Sequence, residues 1–109
     1  MTELIEKRQA EIHTLCRQYG VLRLDLFGSA ATGAFDATTS DLDFIATFAD
    51  TEKPGYARRY LRFAEALEAL FGRPVDLLTE RSIRNPYFRE AIEATRQPVF
   101  VERGASAAI

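Results

Sequence analysis

Cysteine is nearly absent. Cys16 is the only one among 109 residues, so no internal disulfide can form, and the chain suits a reducing compartment such as the cytoplasm. Histidine is equally scarce. The one histidine, His13, lies beside an apolar stripe with no nucleophile near it in sequence, which argues for a rim position rather than a proton relay. No apolar run approaches the ~20 residues that a membrane-spanning helix needs. The opening MTELIEKRQAEIH carries acidic residues and lacks the apolar centre of a signal peptide. Excess charge of one sign is missing too. With 14 Lys+Arg against 16 Asp+Glu the net charge is −2, which gives no general electrostatic reason to bind nucleic acid. There is no internal repeat, linker or low-complexity block. The length fits a single domain over residues 1–109, with the small-residue tail 104–109 expected to fray. Such a size accommodates one core and one site, without a separate domain for an acceptor.

The periodicities that are present alternate between helix and strand. Residues 2–19 read as one helix, with Ile5, Ile12, Leu15, Cys16 and Tyr19 on a shared face and Gly20 where a C-terminal cap belongs. Val21 to Phe27 switches to period two, placing Leu22, Leu24 and Leu26 on one side. Residues 30–40 read as a short helix and a loop. Asp41 to Phe48 is a second strand, with Leu42, Phe44, Ala46 and Phe48 facing one way and Asp41 and Asp43 the other. Tyr56 to Phe71 is the clearest helix, its buried stripe formed by Tyr56, Tyr60, Phe63, Leu67, Leu70 and Phe71. Val75 to Leu78 is a short strand. Asn85 and Pro86 mark the N-cap and first position of a further helix, and Val99 to Val101 a last strand. The fold class is therefore α/β (α+β): a small mixed sheet of three to four strands with helices packed on one side.

Within this frame, LDLFGSAATGAFDATTSDLDFIATF stands out. Gly28-Ser29 ends one strand, and Asp41-Leu42-Asp43 opens the next. A small Gly-Ser turn lets backbone N–H groups and a hydroxyl approach phosphate oxygens. Asp41 and Asp43, about 7 Å apart along one strand face, can converge on one cation. A lone Asp-x-Asp is weak evidence and reads more readily as two solvated acids at a strand entrance. Asp76 shifts the balance. It lies inside the apolar run Val75-Asp76-Leu77-Leu78, and pairing of that strand with the second one would bring three acids together. Burying such acids without a counter-charge is costly, and Mg²⁺ would remove the conflict. The residues thus point to a small metal-dependent nucleotidyltransferase, with Asp41, Asp43 and Asp76 as catalytic and metal-binding acids and Gly28 and Ser29 at the nucleotide.

The same positions carry a resemblance to the minimal nucleotidyltransferases (MNT) of the DNA polymerase β-like superfamily. It rests on Gly28-Ser29, a spacer, Asp41-x-Asp43 and the later Asp76. It runs on through Ser40-Asp41-Leu42-Asp43-Phe44, Gly72-Arg73-Pro74-Val75-Asp76-Leu77-Leu78-Thr79-Glu80 and Asn85-Pro86-Tyr87-Phe88-Arg89. The chain departs from the pattern at Thr32, where many relatives carry an arginine that steadies the loop or a phosphate. The resemblance implies AMP transfer from ATP with two Mg²⁺ ions, Asp76 serving as ligand, as base or as both. It further implies a partner: a HEPN-type ribonuclease toxin, silenced by AMP placed on a toxin tyrosine, in a type VII-like toxin–antitoxin pair. Two other roles are compatible with the sequence. One is an antitoxin that masks its toxin by binding alone. The other is a nucleotidyltransferase subunit acting on RNA or a small molecule. Core packing is expected for Tyr56, Tyr60 and Phe63, and solvated surface positions for Arg73, Arg81 and Arg84. Tyr87 and Phe88 pack on the sheet or meet a partner.

Overall fold

The computed structural model describes residues 3–32 and 41–102. Among the described residues, five helices and four strands follow in the order α1 (Glu3–Glu6), α2 (Gln9–Gln18), β1 (Val21–Phe27), α3 (Ser29–Thr32), β2 (Leu42–Phe48), α4 (Tyr56–Phe71), β3 (Val75–Thr79), α5 (Pro86–Thr95) and β4 (Gln97–Val101), with a 3₁₀ turn at Glu80–Ser82. The strands form one mixed sheet in the order β3-β2-β1-β4. β1 runs antiparallel to β2 and β4, and β2 runs parallel to β3 through the α4 crossover. The expected tail 104–109 and the loop portion 33–40 lie outside the described residues.

Helix α4 forms where the stripe predicts. Phe63, Leu67 and Phe71 are buried, with Tyr56, Tyr60 and Leu70 packed at the margin. It stops at Gly72, whose φ of 64° closes a left-handed cap and whose N–H donates to the Glu68 carbonyl at 2.8 Å. Helix α5 starts as read: Pro86 is its first residue, and the Asn85 carboxamide oxygen accepts from the N–H groups of Tyr87 and Phe88 at 2.8 and 3.3 Å.

Three expectations need correction. The first helix is two helices, broken at Lys7–Arg8, where Arg8 leaves helical geometry (φ −114°, ψ 16°). Ile5, Ile12 and Cys16 nevertheless remain fully buried, so the apolar stripe survives the break. In β1 a bulge between Val21 and Arg23 changes the phase of the alternation, and Val21 rather than Leu22 enters the core beside Leu24 and Leu26. Helical cover is also not confined to one side. The main core lies between the sheet and α1, α2 and α4, while Ile92 of α5 and Ile83 pack with Phe27, Ile45 and Leu78 on the opposite face.

His13 sits at the rim of the main core, edge-on to Phe100 at 5.2 Å. Burial pushes the Cys16 thiol up to about 12, against a smaller opposing effect of Arg17, so it stays a neutral apolar side chain. Arg59 has a structural role that periodicity does not reveal. Its guanidinium donates to the carbonyls of Tyr19 (2.9 Å) and Ala49 (2.6 Å) and lies over the rings of Phe48 and Tyr56 at 5.7 and 5.6 Å. It thereby ties the end of α2 to the end of β2.

Candidate active site

The residues singled out in the sequence meet at one end of the sheet. β1 finishes there with Phe27, β2 begins there, and β3 begins beside it. In register, Phe27 faces Asp43 across the antiparallel pair, and Asp43 faces Asp76 across the parallel pair. Asp41 immediately precedes β2 and is exposed, as is Asp76, whereas Asp43 is partly buried. Alternation puts Asp43 and Asp76 on the α5 face of the sheet, because Leu42, Phe44 and Leu77 face the main core. The acids therefore occupy an open corner of that sheet face.

Electrostatics register the crowding. The Asp43 carboxyl is raised above its ordinary 3.8, first by burial and then by the negative charges of Asp76 and Asp41. Tyr60 stands on the far side of β3, its hydroxyl donating to the Leu77 carbonyl. Its phenol is also raised, by burial, then by Tyr56 and Asp76. Among the described residues no three Asp, Glu, His or Cys side chains are already closed into a metal cage. What Mg²⁺ commonly takes from a protein is one or two carboxylates, its remaining positions going to water and substrate phosphates. The donors are hard carboxylate oxygens, and the repulsion on Asp43 is of the kind a divalent ion relieves. The residues present fit the ion.

Gly28 turns the chain out of β1 with φ +75°. A Cβ at this position would lie 2.8 Å from Oδ2 of Asp43, so the glycine meets both a backbone and a packing requirement. Its N–H donates to Oγ1 of Thr95 at 3.0 Å, so this donor of the bend is engaged within the protein. What Gly28 contributes is the absence of a side chain. Ser29 follows as the first residue of α3, and Thr32 closes that short turn with its hydroxyl donating to the Ser29 carbonyl at 3.3 Å. Gly28→Ala is expected to lower turnover by roughly 10- to 100-fold, because the strained alanine displaces the Asp43 carboxylate. Thermal melting and steady-state kinetics of the variant check this; unchanged turnover would contradict it.

Behind the corner lies a charged cluster that sequence reasoning missed. Asp25, in the middle of β1, is fully buried. Its carboxylate accepts from Nε of Arg96 at 2.7 Å and from Nε of Arg23 at 3.0 and 3.1 Å. Arg96 also reaches Glu80 (2.8 Å) and Glu93 (2.6 Å), and Arg89 donates to the Glu80 carboxylate and carbonyl, both at 2.9 Å. Burial acts to raise the Glu80 carboxyl, but the hydrogen bonds from Arg96 and Arg89 outweigh it and the net shift is downward. The signal was an acid within an apolar strand, the same signal that picked out Asp76. Arg81 and Arg84 are exposed, as expected, while Arg73 is partly buried. Tyr87 is strongly exposed, and Phe88 meets Phe27 edge-on at 6.4 Å.

Comparison with known proteins bears on the family and the fold. The family model of the nucleotidyltransferase domain matches residues 11–99. A protein of Methanocaldococcus jannaschii named "Putative protein adenylyltransferase MJ1379" is 36% identical over 93 residues, covering 85% of this chain and 91% of its own. A solved structure described as a "putative minimal nucleotidyltransferase" superposes with a TM-score of 0.72 at 31% identity, covering 88% of this chain and 93% of its own. The fold is also shared, at a TM-score of 0.62 and 18% identity over 95% of this chain and 78% of the other, with a complex of a tri-AMPylated Shewanella oneidensis HEPN toxin and an MNT antitoxin. From the matched family model, the related sequence and the strand corner that gathers its acids, the chain belongs to the nucleotidyltransferase domain family.

Proposed function

We propose that this chain transfers AMP from ATP to a tyrosine hydroxyl of a HEPN-type toxin and so acts as the antitoxin of the pair. The observation that carries the reading is the register of Asp43 against Asp76, with the side-chain-free Gly28 pressed on the Asp43 carboxylate. Supporting it are the name borne by the archaeal relative and the AMPylated toxin in the complex that shares the fold.

In this reading Ser29 holds the triphosphate through its hydroxyl and the bend's backbone, and Gly28 leaves room for the close approach. Asp41, Asp43 and Asp76 would hold Mg²⁺, which when bound neutralises the phosphates and lowers the pKa of the acceptor. The acceptor oxygen attacks the α-phosphorus, the bond from that phosphorus to the bridging oxygen of the β-phosphate breaks, and pyrophosphate leaves. A tyrosine hydroxyl ordinarily titrates near pKa 10, so its proton needs a receiver, and Asp76 at the open sheet edge takes it.

The test incubates the chain with ATP, Mg²⁺ and the product of the neighbouring gene, the proposed toxin. The expected product is toxin heavier by whole multiples of AMP, on a tyrosine located by fragmentation. Label appearing on RNA or on a small molecule would replace the toxin as acceptor. A toxin neutralised with no mass gain would leave masking as the mode of action.

A further inference from the structure

The end of α5 and the first residue of β4 grip β1 and the β1–α3 bend with three consecutive side chains. Oγ1 of Thr95 accepts the Gly28 N–H at 3.0 Å, Arg96 binds the buried Asp25 carboxylate, and Nε2 of Gln97 donates to the Ala31 carbonyl at 3.2 Å. The polarity of the first contact is fixed. The Thr95 hydroxyl has the Ala91 and Ile92 carbonyls of its own helix as acceptors, at 3.3 and 3.4 Å, so its proton points into α5 and its lone pair toward Gly28. Through Arg96 and Arg89 the same helix also holds Glu80, which follows the strand bearing Asp76. One helix end is thus bonded both to the bend and to the segment behind the third acid.

We infer that Thr95 is a positioning residue for the nucleotide. By taking up the Gly28 N–H it locks the left-handed turn that presses Gly28 against Asp43 and leads into Ser29, and Gln97 fixes the other end of the same bend. The inference rests on the proposed reading that this bend faces the triphosphate. Thr95 touches no reacting atom, and its effect passes through the geometry of Gly28.

The test compares wild type, Thr95→Val and Thr95→Ser. Valine keeps the branched shape and removes the acceptor, whereas serine keeps the hydroxyl. Amide hydrogen exchange at Gly28 is expected to quicken by roughly tenfold in the valine variant and to stay near wild type in the serine variant, as the loss of one hydrogen bond implies. The KM for ATP should rise by a similar factor in Thr95→Val, with the Thr95→Ser value restored and kcat lowered less than KM is raised. Unchanged exchange at Gly28 in Thr95→Val overturns the lock outright. Faster exchange with an unaltered KM overturns the positioning role. If the wild type transfers nothing to any acceptor, the proposed function fails, and the exchange comparison still decides whether Thr95 holds the bend.

Discussion

Replacing Asp43 by asparagine is expected to lower nucleotidyl transfer by at least roughly 10²-fold while making the protein harder to melt. The two effects share one cause. Asp43 stands between Asp41 and Asp76, partly buried, and its carboxyl is raised by burial and by both neighbours, so its ionised form is penalised in the folded state. Asparagine keeps the shape and removes the charge and, in the proposed reading, a metal ligand. The sign of the pH dependence follows from linkage. Because the folded pKa lies above the unfolded 3.8, the folded chain binds the proton more tightly. The contribution of Asp43 to stability therefore falls as pH rises from 3.8 through its raised value, and the penalty is complete above that value. The gain in melting temperature of Asp43→Asn should be full at neutral pH and vanish in acid. Glu80 acts in the opposite sense. Its net lowered pKa gives stability that is present above the ordinary 4.5 and is lost as pH falls through the folded value. Both proteins carry Glu80, so the difference between their melting curves isolates Asp43. The same variant separates catalysis from masking: a catalytic antitoxin loses protection of the host cell, whereas a masking one keeps it.

Arg96→Met is expected to destabilise the fold by about 3 kcal/mol, which for a domain of this size corresponds to a fall in melting temperature on the order of 15 °C. Asp25 has no exposed surface, and Arg96 is the better sheltered of its two partners, with side-chain exposures of 14% for Arg96 and 43% for Arg23. Removing Arg96 leaves a buried carboxylate answered by one half-wet arginine. It also takes from Glu80 and Glu93 one of the two arginines they share, leaving them Arg89. The penalty belongs to the orphaned charge more than to the value of the pair. Adding Asp25→Leu to Arg96→Met should therefore recover a large part of the loss. Chemical denaturation of the single and double variants checks this. A double variant as unstable as the single one would assign the loss to packing of the arginine stem.

What the sequence revealed was whatever depends on short spacing. The α4 stripe, the Asn85-Pro86 start of α5 and the alternation in β2 are all local patterns. They match the structure almost residue for residue. The β1 bulge was not legible, because it is set by how Val21 and Arg23 meet β2 rather than by their own preferences. The break at Lys7–Arg8 was hidden by the continuity of Ile5, Ile12 and Cys16 on one face. For the candidate site, Asp43 and Asp76 were both named, but their adjacency required the parallel register of β2 and β3. Thr95 and Arg96 lie far along the chain from Gly28 and Asp25. Nothing in an ordinary helix end announces that its last hydroxyl will hold a distant turn.

The parallel pairing of β2 with β3 carries a consequence for how the sheet assembles and comes apart. β3 lies at the sheet edge and reaches its place only after α4 crosses over, and its docking sets one carboxylate against another. The contact that completes the acid trio is thus the one that charge opposes most. That strand is expected to peel away while the rest of the sheet stays intact. A divalent ion held between the strands would act as a staple, so ATP with Mg²⁺ should slow amide exchange along β3 more than along β4, the other edge. In this chain the loaded site would finish the fold as well as the chemistry.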